Sequence, residues 1–235
     1  MQAVILAGGL GTRLGERTRA MPKALLPIAG RPFLAWQLEA LARCGFDHVL
    51  LCLAHFGDQI RDFLGEGAAF GVTVAYSEDG PRLLGTGGAL RHALDLLAPS
   101  FLVTYGDSYL PFDYAAPLRD LEAHPEALGT LSVFQNDGAW DSSNTAVQGE
   151  AVLRYEKGSA DPSLTYIDYG ALALRRGVIA QRRAELAFGL DEIQSELSRS
   201  GSLRAYTARD RFYEIGSERG IHDLEQHLAR GQKRP

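Results

Sequence analysis

The chain is 235 residues long, with 46% hydrophobic and 23% charged residues and a formal net charge of −5. That length suits one sizeable α/β domain or two small ones, and the composition is ordinary for a soluble globular protein. A negative balance argues against a general nucleic-acid binder, which needs a basic face, but not against a nucleotide substrate, which needs only local positive charge. The two cysteines, Cys44 and Cys52, fall in an expected helix and strand without metal-type spacing, and read as buried thiols in a reducing compartment. No apolar stretch approaches bilayer length, and the first residues read as a core strand rather than a signal sequence. The expectation is therefore a cytoplasmic protein with no membrane and no nucleic-acid partner.

Ala3-Val4-Ile5-Leu6 is a short apolar run that suits a strand buried on both faces. It leads into Leu6-Ala7-Gly8-Gly9-Leu10-Gly11-Thr12-Arg13-Leu14, followed by Pro22-Lys23. Glycines without Cβ atoms let backbone N–H groups approach an anion closely. Arg13 can grip phosphate oxygens through its planar fork, and Lys23 adds a movable point charge. A P-loop would need Gly-Lys-Ser/Thr after a four-residue gap, and a dinucleotide fingerprint would need a third glycine where Leu14 stands; neither is present.

Further along, helical spacing marks 32–44 and 56–64, and apolar runs at 48–53 and 72–76 read as strands, which predicts parallel strands joined by helices. Leu83-Leu84-Gly85-Thr86-Gly87-Gly88-Ala89-Leu90 opens another helix; its glycines either permit tight packing or leave room for a base and ribose. Residues 101–108 form a buried strand ending in Asp107, at the carboxyl edge where open α/β sheets bind ligands and where a carboxylate can hold Mg²⁺. A helix is expected over 112–124, strands over 128–134, 145–148, 151–155 and 164–174, helices over 177–187 and 191–200, and strands over 203–206 and 211–216. Ser217 caps a last helix through Leu228. Trp140, in a polar loop over 136–143, is either a loop anchor or a sugar platform.

The pattern Leu-Ala-Gly-Gly-x-Gly-Thr-Arg-Leu, then Pro22-Lys23, then Pro27-Ile28-Ala29-Gly30-Arg31-Pro32 resembles the signature of sugar-1-phosphate nucleotidyltransferases, and the likeness runs through essentially the whole chain. The resemblance implies a Rossmann-like α/β fold with a mostly parallel central sheet and a small β-rich sugar-binding part. It implies one nucleotidyltransferase domain, with a nucleotide part over about residues 1–110 and a sugar part over 111–235. It also implies an NTP held by Leu6, Ala7, Gly8, Gly9, Gly11, Thr12, Arg13, Lys23, Gly85, Thr86, Gly87 and Gly88, with Arg13 and Lys23 as catalytic cations.

On the sugar side it implies that Glu156 and Lys157 take the hydroxyls and the phosphate, with Asn144, Asp168 and Gly170 against the sugar. Members usually carry an amide where Asp168 stands. Mg²⁺ is implied on Asp107 and on Glu214, the latter one methylene longer than the usual aspartate. The implied partners are small molecules, an NTP and a sugar 1-phosphate, and a homodimer is compatible with the pattern. The short chain looks most like heptose 1-phosphate guanylyltransferases. Uridylyltransferases for amino-sugar or muramic-type phosphates, a cytidylyltransferase for another phosphate, and a non-catalytic nucleotide-sugar-binding regulator are the alternatives. A metal-dependent glycosyltransferase would more often show Asp-x-Asp where Asp107-Ser108-Tyr109 stands.

Overall fold

The computed structural model describes residues 1–231 apart from Leu10, Pro81, Asp137, Glu185 and Leu186, and gives the backbone alone for Thr12, Arg13 and Gly231. The chain begins with β1 (Gln2–Leu6), a small ribbon of β2 (Pro27–Ile28) and β3 (Arg31–Pro32), α1 (Phe33–Arg43), β4 (His48–Leu53), α2 (Gly57–Leu64) and β5 (Thr73–Glu78). It continues through α3 (Gly85–His92), β6 (Ser100–Tyr105), β7 (Ser108–Tyr109), α4 (Ala116–Ala123) and β8 (Gly129–Gln135). Next come β9 (Thr145–Gln148), β10 (Ala151–Tyr155), β11 (Tyr166–Arg175), α5 (Arg176–Ala180) and α6 (Leu190–Arg199). Last are β12 (Leu203–Thr207), β13 (Tyr213–Glu214) and α7 (Glu218–Gly231).

Nine strands form one sheet in the order β5-β4-β1-β6-β11-β8-β12-β10-β9. β5, β4, β1 and β6 run parallel. Beyond β6 the sheet is mixed: β11 is antiparallel to both β6 and β8, whereas β12 is parallel to β8. The expected α/β architecture is thus present, with its parallel character concentrated in the N-terminal strands. Both faces of those strands are covered, as their uninterrupted apolar runs require. Ala3, Ile5, Val49 and Leu51 face α1, α2, α4 and α7 on one side, while Val4, Leu6, Leu50 and Cys52 face α3, α5 and α6 on the other. Among the described residues, no helix is long and apolar enough to cross a membrane.

Three elements depart from the sequence expectation. The helix expected over 112–124 starts only at Ala116, because Pro117 suits a first turn and not an interior; Tyr114 instead buries its ring and its hydroxyl accepts the Leu110 N–H at 3.1 Å. The helix expected over 177–187 stops at Ala180. Beyond it the chain turns toward α3, where the Arg182 carbonyl accepts from Arg91 Nε at 2.7 Å and the Phe188 N–H donates to the Leu84 carbonyl at 3.0 Å. The strand expected over 211–216 shrinks to Tyr213–Glu214, which pair with β7 outside the main sheet.

Arg204 on β12 ties α4 to the sheet. Its guanidinium donates twice to Asp120 on α4, at 2.9 and 3.0 Å, and once to Glu150 in the β9–β10 turn, at 2.7 Å. Thr130 Oγ1 on β8 donates to the same aspartate at 2.9 Å. Burial alone would raise the Asp120 carboxyl, but the hydrogen bonds from Arg204 and Thr130 outweigh it and hold the group below the usual carboxylate range. Replacing Arg204 by alanine is expected to cost about 2 kcal/mol in urea unfolding at pH 7, since it leaves a half-buried charge without its main partner. A carboxyl whose folded pKa is depressed stabilises the fold above its unfolded value and loses that contribution as pH falls. The gap between parent and R204A should therefore narrow below about pH 4.

Candidate active site

β1, β4, β5 and β6 all end at one edge of the sheet, and β1 lies where the strand order reverses direction. A cleft of about 260 Å³ opens there, lined by the residues that leave these strands: Leu6 to Gly9 after β1, Cys52 on β4, Asp79 after β5, and Tyr105 to Asp107 at the end of β6. Such a switch point leaves a crevice between loops that diverge to opposite faces. The ladder continues into the loops: the Ala7 N–H donates to the Cys52 carbonyl and the Gly106 N–H to the Leu6 carbonyl, each at 2.9 Å. Residues Thr12–Thr18 then form tight 3₁₀ turns, and Thr18 Oγ1 fastens the loop by donating to the Gly11 carbonyl at 2.9 Å. The side chains of Thr12 and Arg13 lie outside what the structure describes.

Lys23 reaches into the same cleft from the turn Lys23–Leu25. Its Nζ donates to Asp107 Oδ2 at 2.7 Å, with the two side chains only 12% and 33% exposed. Partial burial weakens screening, so this pair interacts more strongly than an open surface pair. Residues 84 positions apart are thereby joined at the cleft wall. The β7–β13 ribbon brings the backbone of Glu214 next to this segment: Glu214 pairs with Ser108, and the Ile215 N–H donates to the Asp107 carbonyl at 2.9 Å.

The glycine-rich start of α3 divides into two parts. Gly85 and Thr86 line the cleft. Gly87 and Gly88 do not offer amides to it, because both N–H groups donate to the Phe188 carbonyl, at 3.0 and 3.2 Å. A Cβ on Gly87 would stand 2.3 Å from the Phe188 ring. At Gly87, close packing against Phe188 is a sufficient reason for glycine, the first of the two roles its sequence allowed.

Two cleft residues were not anticipated. Cys52 was read only as a buried thiol; burial pushes it up to about 12, so it stays protonated in the wall. Asp79 stands at the carboxyl end of β5, the same kind of position that drew attention to Asp107. Burial raises its carboxyl, partly offset by the Leu84 N–H that donates to Oδ2 at 3.1 Å. The strand-end rule would have found it had β5 been extended to Glu78.

The sugar-side candidates gather around β9, β10 and β11. Glu156 and Lys157 directly follow β10. Lys157 is 68% exposed, and its contact with Asp191 is long, at 3.4 Å. Asp168 is engaged by protein donors: Gly170 N–H at 2.9 Å, Gln194 Nε2 at 2.7 Å and the Tyr155 hydroxyl at 3.2 Å. Burial raises its carboxyl against those three bonds. Asn144 Oδ1 accepts the Asp168 N–H at 2.9 Å. The Tyr105 hydroxyl links the two regions; burial, then the carboxylates of Asp168, Asp107 and Asp191, push it well above the usual phenol range. Trp140 is a loop anchor here, with the Arg211 guanidinium 3.9 Å from its ring centre and 4.6 Å from that of Tyr213.

The chain is similar to the N-acetylmuramate alpha-1-phosphate uridylyltransferase of Neisseria meningitidis serogroup B, at 40% identity over 127 residues, which is 54% of this chain and 55% of that protein. The match thus spans about half the length of that relative. It is also similar to the D-glycero-alpha-D-manno-heptose 1-phosphate guanylyltransferase of Campylobacter jejuni, at 29% identity over 217 residues, covering 92% and 95% of the two chains. Among solved structures, HddC from Yersinia pseudotuberculosis complexed with GMP-PN superposes with a TM-score of 0.80 at 26% identity, covering 97% of this chain and 99% of that one. The MobA-like NTP transferase domain matches residues 3–159, from the first strand of the sheet to just past Lys157. A match over that much of the chain shows that it belongs to the family of MobA-like NTP transferase domains.

Proposed function

We propose that the chain is a nucleotidyltransferase that makes a nucleoside diphosphate sugar and pyrophosphate from an NTP and a sugar 1-phosphate. The observation that carries this reading is the meeting of Lys23 and Asp107 beside the glycine loop, in the cleft at the parallel strand ends. A phosphate oxygen of the sugar 1-phosphate attacks the α-phosphorus, the bond from that phosphorus to the β-phosphate oxygen breaks, and pyrophosphate leaves. The attacking oxygen is already ionised at neutral pH, so alignment and charge neutralisation suffice. The loop amides and Arg13 receive the leaving pyrophosphate, Lys23 moves to the α-phosphate, Glu156 accepts from the sugar hydroxyls, and Lys157 holds the phosphate of the sugar 1-phosphate.

Asp107, and Glu214, whose strand pairs with the residue after Asp107, are the two carboxylates assigned to the metal, and oxygen donors of this kind suit a hard cation. Among the described residues no group of three or more His, Cys, Asp or Glu is gathered for a metal. That suits Mg²⁺, which takes one or two carboxylates and completes its shell with phosphate oxygens and water. When bound, the ion neutralises charge on the phosphate oxygens.

GTP with a heptose or hexose 1-phosphate is the preferred pair. Asp79 supports guanine: one carboxylate oxygen is held by Leu84, and the group as a whole can only accept. Guanine offers two adjacent donors on its pairing edge, whereas uracil offers one donor flanked by carbonyl oxygens that a carboxylate repels. The Campylobacter and Yersinia proteins favour the same choice; the Neisseria relative supports a uridylyltransferase as the second reading.

Asp107→Asn should lower Mg²⁺-dependent pyrophosphate release by about a hundredfold or more with circular dichroism unchanged; release at the parent rate would remove Asp107 from the metal site. In a panel of nucleoside triphosphates crossed with hexose, heptose and amino-sugar 1-phosphates, GTP is expected to lead. Asp79→Ala should then reduce kcat/KM for GTP by about ten- to a hundredfold and leave UTP nearly unaffected. A parent enzyme that prefers UTP would transfer the assignment to the second reading.

A further inference from the structure

Asp168 sits at an irregularity in the sheet. Asp168 pairs with Val133 on β8, but the next pair is Leu172 with Leu131, so four steps along β11 match two along β8. The excess forms a bulge around Gly170, whose φ of +93° places it in the left-handed region. Bulged residues leave the ladder, and their N–H groups need other acceptors. The Asp168 carboxylate is that acceptor for Gly170, through Oδ1.

Its other oxygen faces away from the bulge toward the elements that carry the sugar-side pair. Oδ2 accepts from Gln194 on α6 and from the hydroxyl of Tyr155, the last residue of β10. The Tyr155 carbonyl in turn accepts from Ser195 Oγ on α6 at 2.9 Å. Asn144 closes the arrangement: its side-chain oxygen accepts the Asp168 N–H, and its backbone carbonyl accepts the Glu156 N–H at 2.8 Å. Glu156 is therefore fixed through Asn144 on one side and Tyr155 on the other; Asn144 is held by the Asp168 backbone N–H, and Tyr155 by the Asp168 carboxylate. Every side-chain partner of this carboxylate is a donor, which explains an acid in place of an amide.

We propose that Asp168 is a positioning residue: by bracing the β11 bulge, Tyr155 and α6 together, it sets the place of Glu156 and Lys157. This deepens the proposed sugar-side site and rests on that reading for its kinetic consequence, but not for its structural one. Asparagine can take over much of the role. Its oxygen can keep the Gly170 N–H, and its NH₂ can donate to Gln194 if that amide turns; the Gln194 Oε1 is buried and has no partner among the described residues.

Amide hydrogen exchange tests the brace without any substrate. In Asp168→Ala, exchange at the Glu156 and Gly170 amides should accelerate by about tenfold or more, while amides of β1 and β4 keep their parent rates. Asp168→Asn should restore most of the protection, and Tyr155→Phe, which removes one hydroxyl from an otherwise unchanged ring, should loosen Glu156 but not Gly170. With GTP and the sugar 1-phosphate that turns over best in the panel above, D168A should raise KM for the sugar phosphate by about tenfold and leave KM for the nucleotide within about twofold. Unchanged exchange at Glu156 in D168A would overturn the proposal, as would an equal rise in both KM values. If the parent releases no pyrophosphate with any pair, the proposed reaction fails, and the exchange data still decide the role of Asp168.

Discussion

The parallel pairing of β1 between β4 and β6 is the constraint on which the site depends. It aligns the ends of strands that are separated by many residues, so that each delivers its next few residues to the same edge. Because both faces of these strands are covered by helices, the pairing cannot slide by one residue without turning apolar side chains to the wrong layer. The register therefore fixes where Gly8, Cys52 and Asp107 emerge. Lys23 needs only a short 3₁₀ turn to reach a carboxylate already in place.

The two sides of the proposed site are built by different means. The nucleotide side uses strand ends and tight loops, in which the backbone does most of the holding. The sugar side uses a bulge, a hairpin and a helix, joined through side chains around one half-buried carboxylate. The second arrangement has more interchangeable parts, since its partners sit on β10, β11 and α6, away from β1. That contrast agrees with relatives that act on different sugars and bases.

Local patterns made much of this legible in the sequence. The apolar runs of β1 and β4 are marked by composition alone, the Gly149-Glu150 turn marks the β9–β10 hairpin, and strand-end logic finds Asp107. The failures share a cause, which is tertiary contact. The helix expected over 177–187 has ordinary helical spacing, but Phe188 is required beneath α3 and draws the chain away. Gly87 looks like part of a ligand loop because packing and ligand approach both demand glycine. Asp79 was passed over because the strand before it runs two residues beyond the alternation that reveals it. The engagement of Asp168 depends on Gln194 and Tyr155, which lie 26 and 13 positions away.

The insertion of β11 between β6 and β8 has a consequence for how the protein is made. As the chain leaves the ribosome, β6 can find β1 early, but its other edge stays open until residues near Arg175 have been synthesised. Until then the carboxyl end of β6, with Asp107 just beyond it, belongs to an unfinished edge strand with unpaired backbone groups exposed. The last strand to join the sheet, β12, then fills the gap between β8 and the waiting β10–β9 hairpin. A fragment ending near residue 110 would contain most of the recognisable nucleotide motifs and still present an adhesive edge, so recognisable sequence and foldable unit do not share a boundary here.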